Sequence, residues 1–410
     1  MSKRRRRTPL ARHGQLKSPH PVAQFLKILA ASTAVVLVAS LGIVGFNAWN
    51  LTSTIDAHSV ELEGQSAAPP GLGAIEGGFN MLLVGTDACE AAYIQYFPGR
   101  CIPGQDEAEL NDVNILIHVS DNPRRVTAIS LPRDLMIPLP SCTAADGSVS
   151  SAMSKQPLNA SYSYGGLSCV AKTVSALTGE NVDYAAKLTW GGVIEITNAI
   201  GGVDVCVANG IYDDNTGLAL APGTHTLQGV EALEFLRTRH GVGDGSDLGR
   251  ISNQQLYMSE LVKKIVSADT LSDPATLYRL ATAVVNNVTP SSSLKSPLTL
   301  VQLALTMKGV GFSDIVFVQY PTGTDPDDAN KVVPNDAAAT TLFSALDANQ
   351  QLIITGGTSP DSSNSGTVVA SPTQDPASPS PTASASGAVE LPPSITGQTA
   401  DQQTCSNGNG

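Results

Sequence analysis

The chain has 410 residues, 42% of them hydrophobic and 15% charged, with a formal net charge of −12. That is a foldable composition, long enough for one large domain with appendages or for two or three average ones. Eight of the 24 basic residues fall in the first 27 positions, which hold no acidic group; the remainder sets 16 basic against 36 acidic residues and would be repelled by nucleic acid.

Behind the basic head, residues 28–46 (ILAASTAVVLVASLGIVGF) run 19 positions without a charge. A helix rising ~1.5 Å per residue crosses the hydrocarbon core in that length. Trp49 suits the outer interface, and the positive-inside rule keeps residues 1–27 cytoplasmic and everything from about 50 onward outside. A cleaved signal peptide is the alternative, but the run exceeds an ordinary h-region and no small-x-small site follows it. Residues 28–49 are therefore expected as a single-pass transmembrane helix. A Gly-, Ala- and Pro-rich linker, 50–78, leads to an extracytoplasmic body over 79–352. Six cysteines on that side of the membrane read as disulfides, and Cys89 with Cys101, bracketing one loop, is the pair the spacing suggests. Residues 353–410 are rich in Ser, Thr and Pro and are expected as a disordered tail.

Within the body, NMLLVG (80–85), VNILIHV (113–119) and RVTAISL (125–131) read as buried strands, the last two joined by a turn at DNPR. Residues 167–178 read as a helix with Val170, Val174 and Leu177 on one face and Gly179 at its end. Another helix at 190–200 runs into a GGVDVCV strand. Further helices are expected at 226–236, 253–267, 275–287, 297–308 and 336–348, with a strand at 314–320. The fold class is α/β: one domain with a central mixed sheet flanked by helices.

The segment LEFLRTRHGVGDGSDLGR (233–250) gathers Arg237, Arg239 and Arg250 around Asp244 and Asp247, in a chain otherwise short of positive charge. A hairpin turning near residue 122 gives opposed positions that sum to about 244, so Asp112 faces Pro132 beside Arg133. If the 80–85 strand runs parallel to the third strand, Asp87 joins them at the same sheet edge, where ligands of open α/β sheets bind. Mg²⁺ takes one or two carboxylates and substrate phosphates, and arginine grips phosphate oxygens in pairs. Such a kit suits a diphosphate undergoing phosphoryl transfer. Each residue also has a plainer role available. Asp87 in GTDA serves as a turn residue, Asp112 as a solvated carboxylate, and arginines behind a helix are stabilised there by ~0.3–1 kcal/mol without any ligand.

With those residues assembled, the chain resembles the LytR-CpsA-Psr family of bacterial envelope proteins. The resemblance is carried, in order, by NMLLVGTDA, NDVNILIHVS, AISLPRDLMIPLP, LNASYSYGG, VSALTGENVDY, NAIGGVDVCV, LQGVEALEFLRTRH and DLGRISNQQ. It implies one amino-terminal anchor helix and transfer of a glycopolymer from a polyprenyl-pyrophosphate carrier to a peptidoglycan hydroxyl, with Mg²⁺ at the diphosphate. It also implies that Asp87 and Asp112 hold the metal. Arg133, Arg237 and Arg239 would grip the diphosphate, with Arg250 and Gln254 as further contacts. Asp134 and Asp247 occupy motif positions and are candidates for accepting the hydroxyl proton, as is His240; His118 reads as structural. The family fold encloses the lipid between sheet and helices, and the apolar helix faces here suit either that role or an ordinary core.

This chain departs from the family pattern at Cys89 and Leu110, where arginines are frequent, and at Leu158, where the family has a basic residue. Arg100, in the long loop between the two aspartates, is the nearest replacement. Two other functions stay open on these residues: a polyprenyl-pyrophosphate phosphatase, and a non-catalytic wall-binding or regulatory protein. No Ser-His-Asp pattern or zinc-type spacing supports a protease.

Overall fold

The computed structural model describes residues 53, 59–65, 75–97, 100–102, 109–243, 245, 247–267, 270, 272–307, 309–356, 367–368 and 388–409. The basic head and the apolar run 28–49 lie outside them, and no helix among the described residues is long and apolar enough to cross a membrane.

Along the chain, β1 (Phe79–Thr86), β2 (Asn111–Val119) and β3 (Val126–Leu131) precede α1 (Ser161–Thr178), β4 (Tyr184–Thr189) and α2 (Trp190–Ala199). β5 (Val203–Val207), β6 (Ile211–Asp213), β7 (Gly223–Leu227), α3 (Gly229–Arg237), α4 (Asp247–Val266) and α5 (Pro274–Asn287) follow. The remainder holds β8 (Val288–Pro290), α6 (Pro297–Met307), β9 (Ile315–Gln319), α7 (Asp336–Asp347), β10 (Gly397–Thr399) and β11 (Thr404–Ser406). The central sheet runs β8–β4–β1–β2–β3–β9–β10 and is mixed. β1 pairs antiparallel with β2 and parallel with β4, and β3 pairs parallel with β9. A second sheet sets β7, β5 and β11 side by side with Thr367–Val368 at its edge.

Strand alternation decides the two faces. Leu82, Val84, Leu116 and Ile129 enter a core closed by Val170 and Val174 of α1 and by Leu342 and Leu346 of α7. Their neighbours Met81, Leu83, Val113 and Ile115 point the opposite way, toward Met258 of α4 and Leu303 of α6. α4 starts six residues before the expected position 253, because Asp247 supplies an acidic first turn that favours the helix dipole.

Three expectations are corrected. The β2–β3 register sums one higher than expected, since residues 120–125 form the whole turn between Val119 and Val126. Continued past its last pair, Asn114 with Leu131, that register brings Asp112 level with Arg133 itself. The linker is not all spacer: VELE alternates, so Val60 and Leu62 pack on the core while Val60 bridges to Ser291. Ile75 is buried too, and its amide donates to Thr306 Oγ1 at 2.8 Å. The tail is not disordered from 388 to 409. β10 extends the central sheet beside β9, Leu391, Ile395 and Ala400 are buried, and Cys405 is bonded to Cys206. Leu391, Ile395, Ala400 and Cys405 are placed where they bury almost completely, which an average over 58 Ser/Thr/Pro-rich positions conceals.

Candidate active site

Thr86 pairs with Asn111 at the end of the β1–β2 ladder, so the chain direction sets Asp87 and Asp112 at one sheet edge, near the turn after β3 that carries Arg133. Arg133 reaches Asp112 Oδ1 at 2.9 Å and lies 3.4 Å from both Asp134 Oδ2 and Asp247 Oδ1. Burial works to lower the pKa of this guanidinium, and Asp112, Asp247 and Asp134 together outweigh it, holding the group above its ordinary value. Arg250 is buried, 2.8 Å from Asp247 Oδ1, and donates to the Asp112 carbonyl at 3.3 Å. Burial lowers its pKa; Asp247 opposes the shift and Arg133 adds to it.

Both Asp247 carboxyl oxygens are sealed from solvent without a hydrogen bond among the described residues, held between two guanidiniums. Asp134 is tied to Lys331 on the hairpin that follows β9. The sequence offered both carboxylates as proton acceptors. The structure seats them behind Arg133, away from the cavity wall.

Arg237 ends α3 with its guanidinium 4.1 Å from the Trp190 ring and 5.0 Å from the Phe97 ring, which are themselves 4.3 Å apart. Trp190 opens α2, where Thr189 caps the helix by accepting from Gly192 N. Phe97 belongs to the loop closed by the Cys89–Cys101 disulfide. Two rings hold the arginine by cation–π attraction and leave its edge nitrogens for a ligand. Burial lowers its pKa against the pull of Asp112 and Asp87.

Asn253 and Gln254 of α4 donate their side-chain amides to Phe235 O and Leu236 O, each at 2.9 Å, and so satisfy carbonyls at the end of α3. Gln254, expected as a diphosphate contact, therefore lines the cavity with its nitrogen committed to the helix end that presents Arg237.

These groups form one wall of a cavity of about 610 Å³. Asp112, Arg133, Arg237, Arg239, His240 and Arg250 line it together with Met81, Leu83 and Ile115 of the sheet and Val285 and Leu303 of α5 and α6. Helix faces that periodicity assigned equally to core or to a lipid enclosure thus border open space.

Asp87 stands apart from the cavity wall. Its Oδ2 accepts from Arg100 Nη2 at 2.7 Å and Nε at 3.0 Å, and its Oδ1 accepts from Leu110 N at 2.7 Å. Arg100 thus occupies the carboxylate that the resemblance assigns to a metal. Thr86 Oγ1, one residue away, is buried with no hydrogen bond among the described residues. Two carboxylates and an unpartnered hydroxyl are hard oxygen donors of the kind Mg²⁺ takes, and in this structure each carboxylate is ion-paired, Asp87 with Arg100 and Asp112 with Arg133.

Sequence reasoning missed Trp190 and Phe97, because a ring and a cation joined through a loop have no fixed spacing. It also missed Asp213, which reads as a turn residue in YDDN. Its Oδ2 accepts from Thr238 Oγ1 at 2.7 Å and Arg239 N at 3.1 Å; its Oδ1 accepts from Asn215 N at 3.0 Å. Burial favours the neutral form, and these bonds outweigh it, leaving the carboxyl below its usual range. A depressed carboxyl contributes stability that is fully present above its unfolded value, ~3.9, and is lost as pH falls through the folded value. In urea titrations from neutral pH downward, the stability advantage of the native chain over Asp213→Asn is expected to shrink below pH ~4. An advantage constant down to pH ~2 would remove this role.

The model of the LytR_cpsA_psr family matches residues 49–348. Among curated proteins, the cell wall biosynthesis protein LcpA of Corynebacterium glutamicum is 28% identical over 333 residues, which cover 76% of this chain and 62% of that protein. The polyisoprenyl-teichoic acid–peptidoglycan teichoic acid transferase TagT of Bacillus subtilis is 26% identical over 322 residues, covering 75% of this chain and 90% of that one. The chain spans 62% of the length of LcpA and 61% of the probable cell wall biosynthesis protein LcpB from the same organism. Among solved structures, protein gbs0355 of Streptococcus agalactiae aligns with a TM-score of 0.52 at 22% identity, covering 66% of this chain and 87% of that one. The LytR-Csp2A-Psr enzyme of Actinomyces oris aligns at 0.50 and 23%, covering 70% and 96%; at these identities the likeness is one of fold. Since the matched region takes in well over half of the residues, the chain belongs to the LytR-CpsA-Psr family.

Proposed function

We propose that this chain transfers a glycopolymer from a polyprenyl-pyrophosphate carrier to a hydroxyl of peptidoglycan, from a position anchored in the membrane by residues 28–49. The observation that carries the reading is the gathering of Arg133, Arg237, Arg239 and Arg250 on one wall of an otherwise largely apolar cavity. A prenyl chain suits the apolar part and a diphosphate the cationic part. TagT, by its name, acts on a polyisoprenyl-linked wall polymer, and LcpA serves wall biosynthesis. Disulfides Cys89–Cys101, Cys142–Cys169 and Cys206–Cys405 suit an oxidising compartment outside the cytoplasm.

In this reading Arg237, braced by its two rings, and Arg239 hold the diphosphate oxygens in line, while Arg133 and Arg250 neutralise the charge that builds up on the transferring phosphoryl group. The acceptor hydroxyl attacks the sugar-side phosphorus, the bond to the bridging oxygen breaks, and polyprenyl phosphate leaves with that oxygen. For the hydroxyl proton, the cavity wall offers His240. Asp87 and Asp112, with Thr86 beside them, would hold Mg²⁺, which supplies further positive charge at the diphosphate when bound.

The full chain, given lipid-linked wall polymer, Mg²⁺ and peptidoglycan, is expected to produce polymer covalently joined to peptidoglycan, and EDTA is expected to suppress the product. Phosphate-bearing sugar released equally fast without peptidoglycan would assign a hydrolase instead. Absence of any product with each polyprenyl-linked donor class would leave a binding role.

A further inference from the structure

The loop that carries Arg239 has an outer fastening that lies beyond the family match, which ends at residue 348. Gly243 and Gly245 in this loop adopt φ of 53° and 78°, a left-handed backbone that few other residues hold without strain. Such a loop loses more freedom than most when it closes on a ligand, unless something orders it beforehand. Asp213 orders it from inside, through Thr238 and the Arg239 amide.

From outside, the last residues of the chain do the same. Val242 bridges antiparallel to Gly408, and Gly243 N donates to Asn407 O at 3.0 Å. Asn409 N donates to Gly241 O at 3.1 Å. Its side chain uses both ends: Oδ1 accepts from Tyr212 N at 3.1 Å, and Nδ2 donates to Tyr212 O at 3.0 Å and His240 O at 3.1 Å. Tyr212 is the residue before Asp213, and His240 and Gly241 directly follow Arg239. One amide therefore ties the strand that holds Asp213 to the loop that Asp213 grips. The segment is moored to the body by Cys405–Cys206 and by Ser406 Oγ, which donates to Asn253 Oδ1, the residue whose amide caps α3.

We propose that Asn409 is a positioning residue that pre-orders the Arg239 loop for an anionic diphosphate group. The proposal deepens the diphosphate reading and rests on it. Asn409 is exposed, so its substitution leaves the core intact. Losing the tie returns roughly one ordered side chain and its loop to disorder, equivalent to about a 3- to 10-fold loss of affinity.

The test uses the full chain in detergent with two probes, geranylgeranyl diphosphate and geranylgeraniol, which share a prenyl chain and differ in charge. Asn409→Ala is expected to weaken diphosphate binding about 3- to 10-fold, to leave alcohol binding and the melting temperature unchanged, and to speed hydrogen exchange at the Gly243 amide. Asn409→Asp keeps the shape and loses both side-chain donors, so it is expected to follow Asn409→Ala. Unchanged diphosphate affinity in both variants, or equal loss for both probes, overturns the proposal. A native chain that shows no preference for diphosphate over alcohol sinks the diphosphate reading itself, and this inference with it, before any variant is measured.

Discussion

Arg237→Ala is expected to lower the rate of polymer transfer about 10²- to 10³-fold while leaving the protein folded. That is the scale seen when one preorganised electrostatic contact to a transition state is removed. The side chain is half-buried against Trp190 and Phe97; of the carboxylates near it, Asp112 keeps Arg133, Asp87 keeps Arg100, and Glu234 is only half-buried, with its pKa already raised by burial and by Glu231. Deletion thus strands no buried charge, and the loss falls on ligand binding and catalysis. Arg237→Lys is expected to recover less than a tenth of the lost rate, since an ammonium neither lies flat on two rings nor offers paired donors. Turnover measured beside the melting curve decides the matter. A full recovery by lysine would reduce Arg237 to a point charge, and a collapse of the melting curve would make it a structural residue.

Arg133→Ala has its largest effect elsewhere, on stability. Arg133 is shared among Asp112, Asp134 and Asp247, with Asp247 sealed from solvent on both oxygens. Removing one partner of a buried ion pair typically costs about 3–5 kcal/mol, because a charge remains without compensation. Here Asp247 keeps Arg250 at 2.8 Å, and the Arg133 side chain is 22% exposed, so a loss of about 2–4 kcal/mol is expected. Asp247→Asn in the same background is expected to restore part of that loss, since it removes the stranded charge. Chemical denaturation of the two single variants and the double variant measures the coupling. Additive effects would mean that Arg133 and Asp247 are neighbours without an energetic link.

The middle of the fold was legible because its strands are uniform apolar runs and its helices keep one period. The meeting of Asp112 with Arg133 followed from a hairpin register that was off by a single position. Long-range partnerships were less visible. Nothing in EAAYIQYFPGRC marks Phe97 as a shelf for Arg237, and Arg100 was read as the nearest replacement for the absent arginines but not as the partner of Asp87, because both contacts depend on how a disulfide-closed loop folds back. Asp134 and Asp247 occupy motif positions, and motif position alone does not distinguish a group facing a ligand from one bracing the arginine that does. The final stretch was misread for a different reason: composition averages over a window, whereas a strand needs only three residues and a neighbour.

The placement of β10 and β11 bears on how the chain matures. β10 covers β9, and β11 brings Cys405 to Cys206 across a sequence separation of 199. A polypeptide broken off before these strands leaves the 315–319 strand as an open sheet edge and Cys206 as an unpaired thiol. Both are features that invite aggregation or mispairing. Since residues 405–409 also hold the loop that carries Arg239, closing Cys206–Cys405 and ordering that loop are coupled events.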